Sequence, residues 1–159
     1  MRLPFLCGLR RNASLLTSFT KLKLKNKVIV DKHCLGGVAG NRTTMILVPI
    51  IASLGLVIPK TSSRSITSPA GTADTMEVLA DIEFPAQQLE KIVRRVGGCI
   101  AFGGTVNLAA ADDHLIRIRH PLNLDPVGLM LSSIMAKKKA VGSTHVLICL
   151  LYTSDAADE

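Results

Sequence analysis

The chain has 159 residues, 48% of them apolar and 3% aromatic, with a formal net charge of +7. That apolar share is enough for a packed core and argues against a disordered chain. The positive charge is lopsided: residues 1–30 hold seven basic residues and no acid, whereas residues 31–148 hold 12 basic and 9 acidic ones. A nucleic-acid surface needs basic residues along one face with aromatics to stack on bases, and one Tyr with no Trp sets that class aside.

Residues 1–20, MRLPFLCGLRRNASLLTSFT, are rich in Arg, Ser and Leu and lack acids, which is the composition of a transit peptide. We read residues 1–26 instead as an arm, either a stub of a preceding segment or a misassigned start. KVIVDKH (27–33) is a β-branched run and reads as a strand buried on both faces. A glycine loop follows, CLGGVAGN (34–41). RTTMILVPIIASLG (42–55) predicts a buried helix, kinked at Pro49 and stopped by Gly55. The apolar stretch from Met45 to Pro59 is about fifteen residues, short of the roughly 20 that span a bilayer. VIPKTS (57–62) predicts a second strand leading into the loop SSRSITSPAGTAD (62–74).

Asp74 reads as the start of a helix, with Glu77 three residues on in capping-box register. Pro85 opens the next, where Leu89, Ile92, Val93 and Val96 follow the spacing of one helical face before Gly97-Gly98 ends it. CIAF (99–102) predicts a strand, and the alternation in HLIRIRH (114–120) predicts a half-exposed one. Asp125-Pro126 reads as an N-cap and first helical residue. That helix runs to Gly142 and carries Lys137, Lys138 and Lys139 toward its negative end. THVLI (144–148) is the final expected strand. Residues 149–159, CLLYTSDAADE, have the sequence of a transposon-end sequencing adaptor translated in one frame, and are expected to be non-native. Strands alternate with helices, so the expected class is α/β with a largely parallel sheet. The partition is an uncertain arm (1–26), a partial catalytic domain (27–148) and the adaptor-like tail.

Cys7, Cys34, Cys99 and Cys149 show no CxxC spacing and no paired His, so no metal site is expected and unpaired thiols in a reducing cytoplasm are. Ligands of open α/β sheets bind beyond the carboxyl ends of the strands, where both unusual loops lie. The first combines Gly36, Gly37 and Gly40 with Lys32, a helix start and the hydroxyls of Thr43 and Thr44, the parts of a phosphate cradle. It is neither GxxxxGKS nor GxGxxG, and a tight turn would look the same. The second gathers Ser62, Ser63, Ser65, Thr67, Ser68 and Thr72 around Arg64. Hydroxyls both donate to phosphate oxygens and accept from sugar hydroxyls, and Arg64 could clamp an anion. Turns and caps account for two or three such hydroxyls, not six. Ser133 and Lys137 are i, i+4 neighbours on one helix face, although a lysine run in a last turn is commonly solvated.

VDKHCLGGVAGNRTTMILVPIIASLGL, IPKTSSRSITSPAGTADTMEVLA, GGTVNLAAADD and LDPVGLMLSSIMAKKKAVGSTHVLI together resemble the thymidine/pyrimidine-nucleoside phosphorylase family. The resemblance runs over residues 27–148 and is greatest to the branch that contains archaeal AMP phosphorylases and the bacterial proteins called putative thymidine phosphorylases. It implies that the chain holds part of a large α/β lobe plus one helix of a helical lobe. It implies phosphorolysis of a nucleoside or nucleoside monophosphate, with no cofactor, inorganic phosphate as co-substrate, and a homodimer when full length. Neither a nucleic acid nor a membrane partner is implied, and a fragment this short is expected to be inactive alone. Lys32, Cys34, Gly36, Thr44 and Ser62 match the family's phosphate contacts. Gly37, Ser63, Arg64, Ser65, Ile66, Thr67, Ser68 and Thr72 match its substrate contacts, and Ser133 and Lys137 the pair that grips the base. Asp125 matches the proton donor of the AMP branch. Cys34 stands where the thymidine enzymes have Ser, and SITSPAG where they have a glycine-rich stretch with His, which tilts the expected base toward adenine. His33 sits beside the phosphate loop. The competing readings are a non-catalytic module that binds nucleotide or phosphate, and a basic surface-binding protein driven by residues 1–26.

Overall fold

The computed structural model describes residues 28–35, 38–65, 70–105, 110–122 and 126–150. In chain order these form β1 (Val30–Leu35), α1 (Val38–Ser53), β2 (Ile58–Ser62), α2 (Thr72–Glu77), α3 (Ala86–Val96), β3 (Gly98–Phe102), α4 (Ala110–Arg119), a 3₁₀ turn (His120–Leu122), α5 (Val127–Ala140) and β4 (His145–Leu150). All described strand pairs are parallel, as a chain of alternating strands and helices requires.

β4 pairs with β1, with Val30 opposite His145 and Cys34 opposite Cys149, and β2 pairs with β3, with Ile58 opposite Gly98. The two pairs join at one point, a parallel bridge between Ile29 and Val57, where the Val30 N–H donates to the Val57 carbonyl at 2.8 Å. The spatial order is therefore β4-β1-β2-β3, and chain direction across the sheet reverses at β1. That is where such sheets bind ligands.

The single bridge has a cause in the sequence. Along a parallel strand, alternate residues present their polar backbone groups to opposite neighbours. Ile58 donates toward β3, to the Gly97 carbonyl at 2.8 Å, so Val57 and Pro59 present theirs toward β1. Proline has no N–H to give, and the ladder between β1 and β2 stops there.

Ile29, Val57 and Ala101 from the strands pack with Leu89 and Val93 of α3 and with Ala136, Ala140 and Val141 at the end of α5. α1 covers the other face: a methyl group on Gly98 would lie 3.3 Å from Cβ of Ala52. Leu89 and Val93, four apart, supply the buried stripe of α3, and Gly97 ends it with a φ of 81° that a side chain resists.

Several boundaries differ from the sequence reading. β1 extends to Leu35 and α1 begins at Val38, so Cys34 and Leu35 of the expected glycine loop are strand and Gly40 is helical, while Gly36 and Gly37 lie outside the described residues. α1 continues through Pro49 to Ser53. α2 begins at Thr72 behind an N-cap at Gly71, so Asp74 is its third residue and not its start. α5 takes Pro126 as N-cap and begins at Val127. β4 runs to Leu150, two residues past the expected end. Residues 114–120, expected as a strand, form most of α4 and the start of the 3₁₀ turn. Acids at 112 and 113 and arginines at 117 and 119 place charge in the order that suits a helix dipole, and this overrides a short alternation. Among the described residues no helix is long and apolar enough to cross a membrane.

Candidate functional site

The buried charged side chains among the described residues are one acid, Asp31, and four lysines: Lys32, Lys60, Lys137 and Lys138. They come from three elements. Asp31 and Lys32 lie on β1, Lys60 on β2, and Lys137 and Lys138 on the last turns of α5. A buried ion costs several kcal/mol in desolvation unless an opposite charge meets it, so a cluster of this composition is a demand for an anion.

Asp31 is fully buried and answers one lysine. Lys138 Nζ lies 2.8 Å from its Oδ2, and also donates to the Lys32 carbonyl at 3.4 Å. The other carboxylate oxygen of Asp31 accepts from the Lys32 N–H at 2.7 Å, and Ser143 Oγ stands 3.5 Å from Oδ2. Two of the remaining three lysines hold hydroxyls. Lys32 Nζ donates to Thr44 Oγ1 of α1 at 3.0 Å, and Lys137 Nζ to Ser133 Oγ at 2.9 Å. All four of these side chains are buried. The sequence raised the possibility that the lysine run is solvated; Lys139 is exposed, but Lys137 and Lys138 are not.

His33 reports the field. Burial, followed by Lys60, Lys138, Lys137 and Lys32, drives its imidazole down from 6.5 to about 3, so it is neutral at physiological pH. All four lysines thus bear on the end of β1. Lys60 is driven from 10.5 to about 7, first by burial and then by Lys138, with Asp31 opposing. The Cys99 thiol is pushed up to about 12 by burial, with Asp31 adding to it.

The hydroxyl loop adjoins this cluster. The Ser62 carbonyl accepts from the Gly103 N–H at 2.8 Å. A methyl group on Gly103 would stand 3.5 Å from that carbonyl oxygen and 3.9 Å from Cε of Lys137. The carboxyl ends of β2 and β3 therefore meet the Ser133–Lys137 face of α5. Ser62, Ser63, Arg64 and Ser65 are half-buried and Thr72 is buried. Ile66, Thr67 and Ser68 lie outside the described residues, as do Gly36, Gly37 and Asp125.

Asp74 ties the loop together. Its Oδ2 accepts from the N–H groups of Ser65 and Gly71, each at 2.8 Å. Burial raises its carboxyl, but those two N–H groups and Arg64 outweigh this and hold it below the usual range. Gly71 must be glycine for this closure, since a Cβ there would meet Ser65 N at 2.8 Å and the Ser63 carbonyl oxygen at 3.0 Å.

The Arg64 guanidinium pairs with Glu77 (2.8 Å from NH2 to Oε1), Asp74 (3.3 Å) and Glu83 (3.2 Å) and lies 5.0 Å over the Phe102 ring. The hydrogen bonds it donates to Glu77 lead the effects that raise its already high pKa. Here it fastens the loop to α2. Glu77, expected in a capping box, serves Arg64. Cys34 lies against Cys149 of β4, and both carry free thiols.

Sequence reasoning missed Asp31, Lys60 and Lys138. Asp31 and Lys60 sit inside strands that the sequence reading took for structure alone, with no loop or glycine beside them to mark a site. A signal was available for Lys60, whose neighbours Ile58, Pro59 and Thr61 leave no exposed side to the strand.

The family model described as "Glycosyl transferase family, a/b domain" matches residues 26–154. A protein of Rhodopseudomonas palustris named "Putative thymidine phosphorylase" is 58% identical over 129 residues, covering 81% of this chain and 25% of its own length. Another of that name from Polaromonas is 59% identical over 121 residues (76% and 24%), and "Putative thymidine phosphorylase 2" of Acidovorax is 58% identical over 123 (77% and 24%). The chain spans about a quarter of the length of the curated relatives it matches. Its parallel sheet, its flanking helices and this match agree: the chain belongs to the glycosyl transferase family, a/b domain.

Proposed function

We propose that the protein carrying this chain cleaves the N-glycosidic bond of a nucleoside 5′-monophosphate or a pyrimidine nucleoside by phosphorolysis. An oxygen of inorganic phosphate bonds to C1′ as the C1′–N bond breaks. The base leaves with the bonding electron pair and takes a proton, giving free base and a sugar 1-phosphate. The observation that carries this reading is the group of four buried lysines with one carboxylate, drawn from β1, β2 and the last turns of α5, beside a loop of hydroxyls.

Lys32, Thr44 and Ser62 hold the phosphate, with Cys34 and Gly36 beside them, in line with C1′. Positioning and preformed charge then carry the catalysis. Ser133 and Lys137 hold the base, and the hydroxyls of residues 63–68 and Thr72 the sugar. Asp125 protonates the leaving base, which calls for a carboxyl kept protonated by burial or by the neighbouring phosphate dianion. The names of the relatives support a pyrimidine nucleoside, and the SITSPAG stretch supports AMP, from which the sugar product is ribose 1,5-bisphosphate. The whole protein works as a homodimer in the cytoplasm, without a cofactor.

The test is phosphate-dependent release of base from AMP, CMP, uridine and thymidine, side by side, by the full-length protein. Release of base that requires phosphate is expected for one of the four, and release from none overturns the reading. Near-normal turnover by Asp125→Asn removes Asp125 from the acid role.

A further inference from the structure

Lys60 is absent from every role assigned above. It lies on β2, two residues before Ser62, with its side chain 3% exposed. The Ile29–Val57 bridge sets β1 and β2 in parallel register, so Lys60 stands three residues beyond the bridge on one strand as Lys32 does on the other. The groups bearing on it are Lys138 from α5 and Asp31 and Lys32 from β1, with Lys138 near enough to hydrogen-bond. On β3, its pairing partner is the uncharged Ile100, next to Cys99. The one buried carboxylate among these groups is bound to Lys138. Among the described residues no carboxylate pairs with Lys60.

A buried ammonium against another ammonium lowers its free energy by shedding its proton, and regains it when an anion arrives. Resting on the phosphorolytic reading, we propose that Lys60 is a further anion-binding residue of this site, neutral when the site is empty and protonated when phosphate occupies it. Anion binding then takes a proton from solvent: free Lys60 amine plus H⁺ gives the ammonium that faces the bound dianion. Burial and Lys138 set the amine's own titration at about 7, so the exchange falls within the physiological range. His33 at about 3 and Cys99 at about 12 titrate far outside it.

The experiment is titration calorimetry of the full-length protein with inorganic phosphate and with sulfate, at pH 7 to 9, in buffers of different ionisation enthalpy. Sulfate stays a dianion throughout, so any proton taken up with it belongs to the protein. Wild type should take up most of one proton per sulfate near pH 8, and its affinity should fall by up to about tenfold per pH unit above 7. Lys60→Met should bind sulfate more weakly with no uptake. Lys60→Arg, which keeps its charge, should bind with no uptake and an affinity flat across the range; it serves if the Met variant fails to fold. Sulfate binding by wild type without proton uptake, or equal uptake by Lys60→Arg, overturns the role of Lys60 and leaves the phosphorolytic reading standing. Binding of neither anion overturns both.

Discussion

The Lys137 ammonium lies 2.9 Å from the Ser133 hydroxyl one turn earlier on α5, and both side chains are buried. A lysine held this way cannot swing between rotamers, so its charge is aimed before any substrate arrives. In the proposed reaction this preorganised donor meets the developing charge on the base. Replacing Lys137 by Ala should lower kcat/KM of the full-length protein in that reaction about 100-fold or more, the scale for losing one such donor. Ser133→Ala, which frees the ammonium without deleting it, should cost less. Steady-state kinetics on both variants checks the order.

Asp31→Asn should be the most destabilising polar change in the chain. It strands the Lys138 ammonium, 3% exposed, without its carboxylate. Breaking a buried pair from one side costs about 3–5 kcal/mol. Combining it with Lys138→Met removes the stranded charge, so the double variant should regain more than half of that loss. Urea unfolding of the two single variants and the double variant measures it.

Gly71→Ala should loosen the hydroxyl loop. The added methyl group would press on the backbone of residues 63–65 at 2.8–3.0 Å, and neither side has a flexible end that can give way. Such overpacking costs about 1–3 kcal/mol. The same change should raise KM by displacing the backbone that Asp74 holds. An unchanged unfolding midpoint would show that the loop does not close on Gly71.

His33 makes stability depend on pH. Its imidazole binds a proton near 3 in the folded chain and near 6.5 when unfolded, so the unfolded state takes up protons first. The stability it contributes is complete above about 6.5 and is lost as pH falls from there toward 3. Thermal unfolding followed between pH 4 and 7 should show Tm falling with acidity. His33→Gln, which cannot titrate, should flatten that slope.

The alternation of strands and helices was legible because its signals are local: β-branched runs at residues 27–33 and 57–62, and the Leu89–Val93 stripe closed by Gly97. α4 was misread because five alternating residues fit a strand as well as a helix, and only the acid-to-base order around them tells the two apart. In the site, Lys32, Ser133 and Lys137 stood out through a glycine loop and an i, i+4 spacing. Asp31, Lys60 and Lys138 did not. Their meaning arises where three elements separated by as many as 106 residues converge, and no local pattern encodes that. The carboxylates around Arg64 were hidden for the same reason, since Glu83 lies nineteen residues away in the chain.

Pro59 acts as a wedge. Any other residue at that position would offer an amide hydrogen to Val30 and let the two inner strands zip together toward their tips. The zipped sheet would hold itself better, and the carbonyl of Lys32, which now accepts from the Lys138 ammonium, would be drawn toward the neighbouring strand instead. The imino acid thus leaves, by a bond it is unable to make, a backbone group of β1 free to meet a lysine.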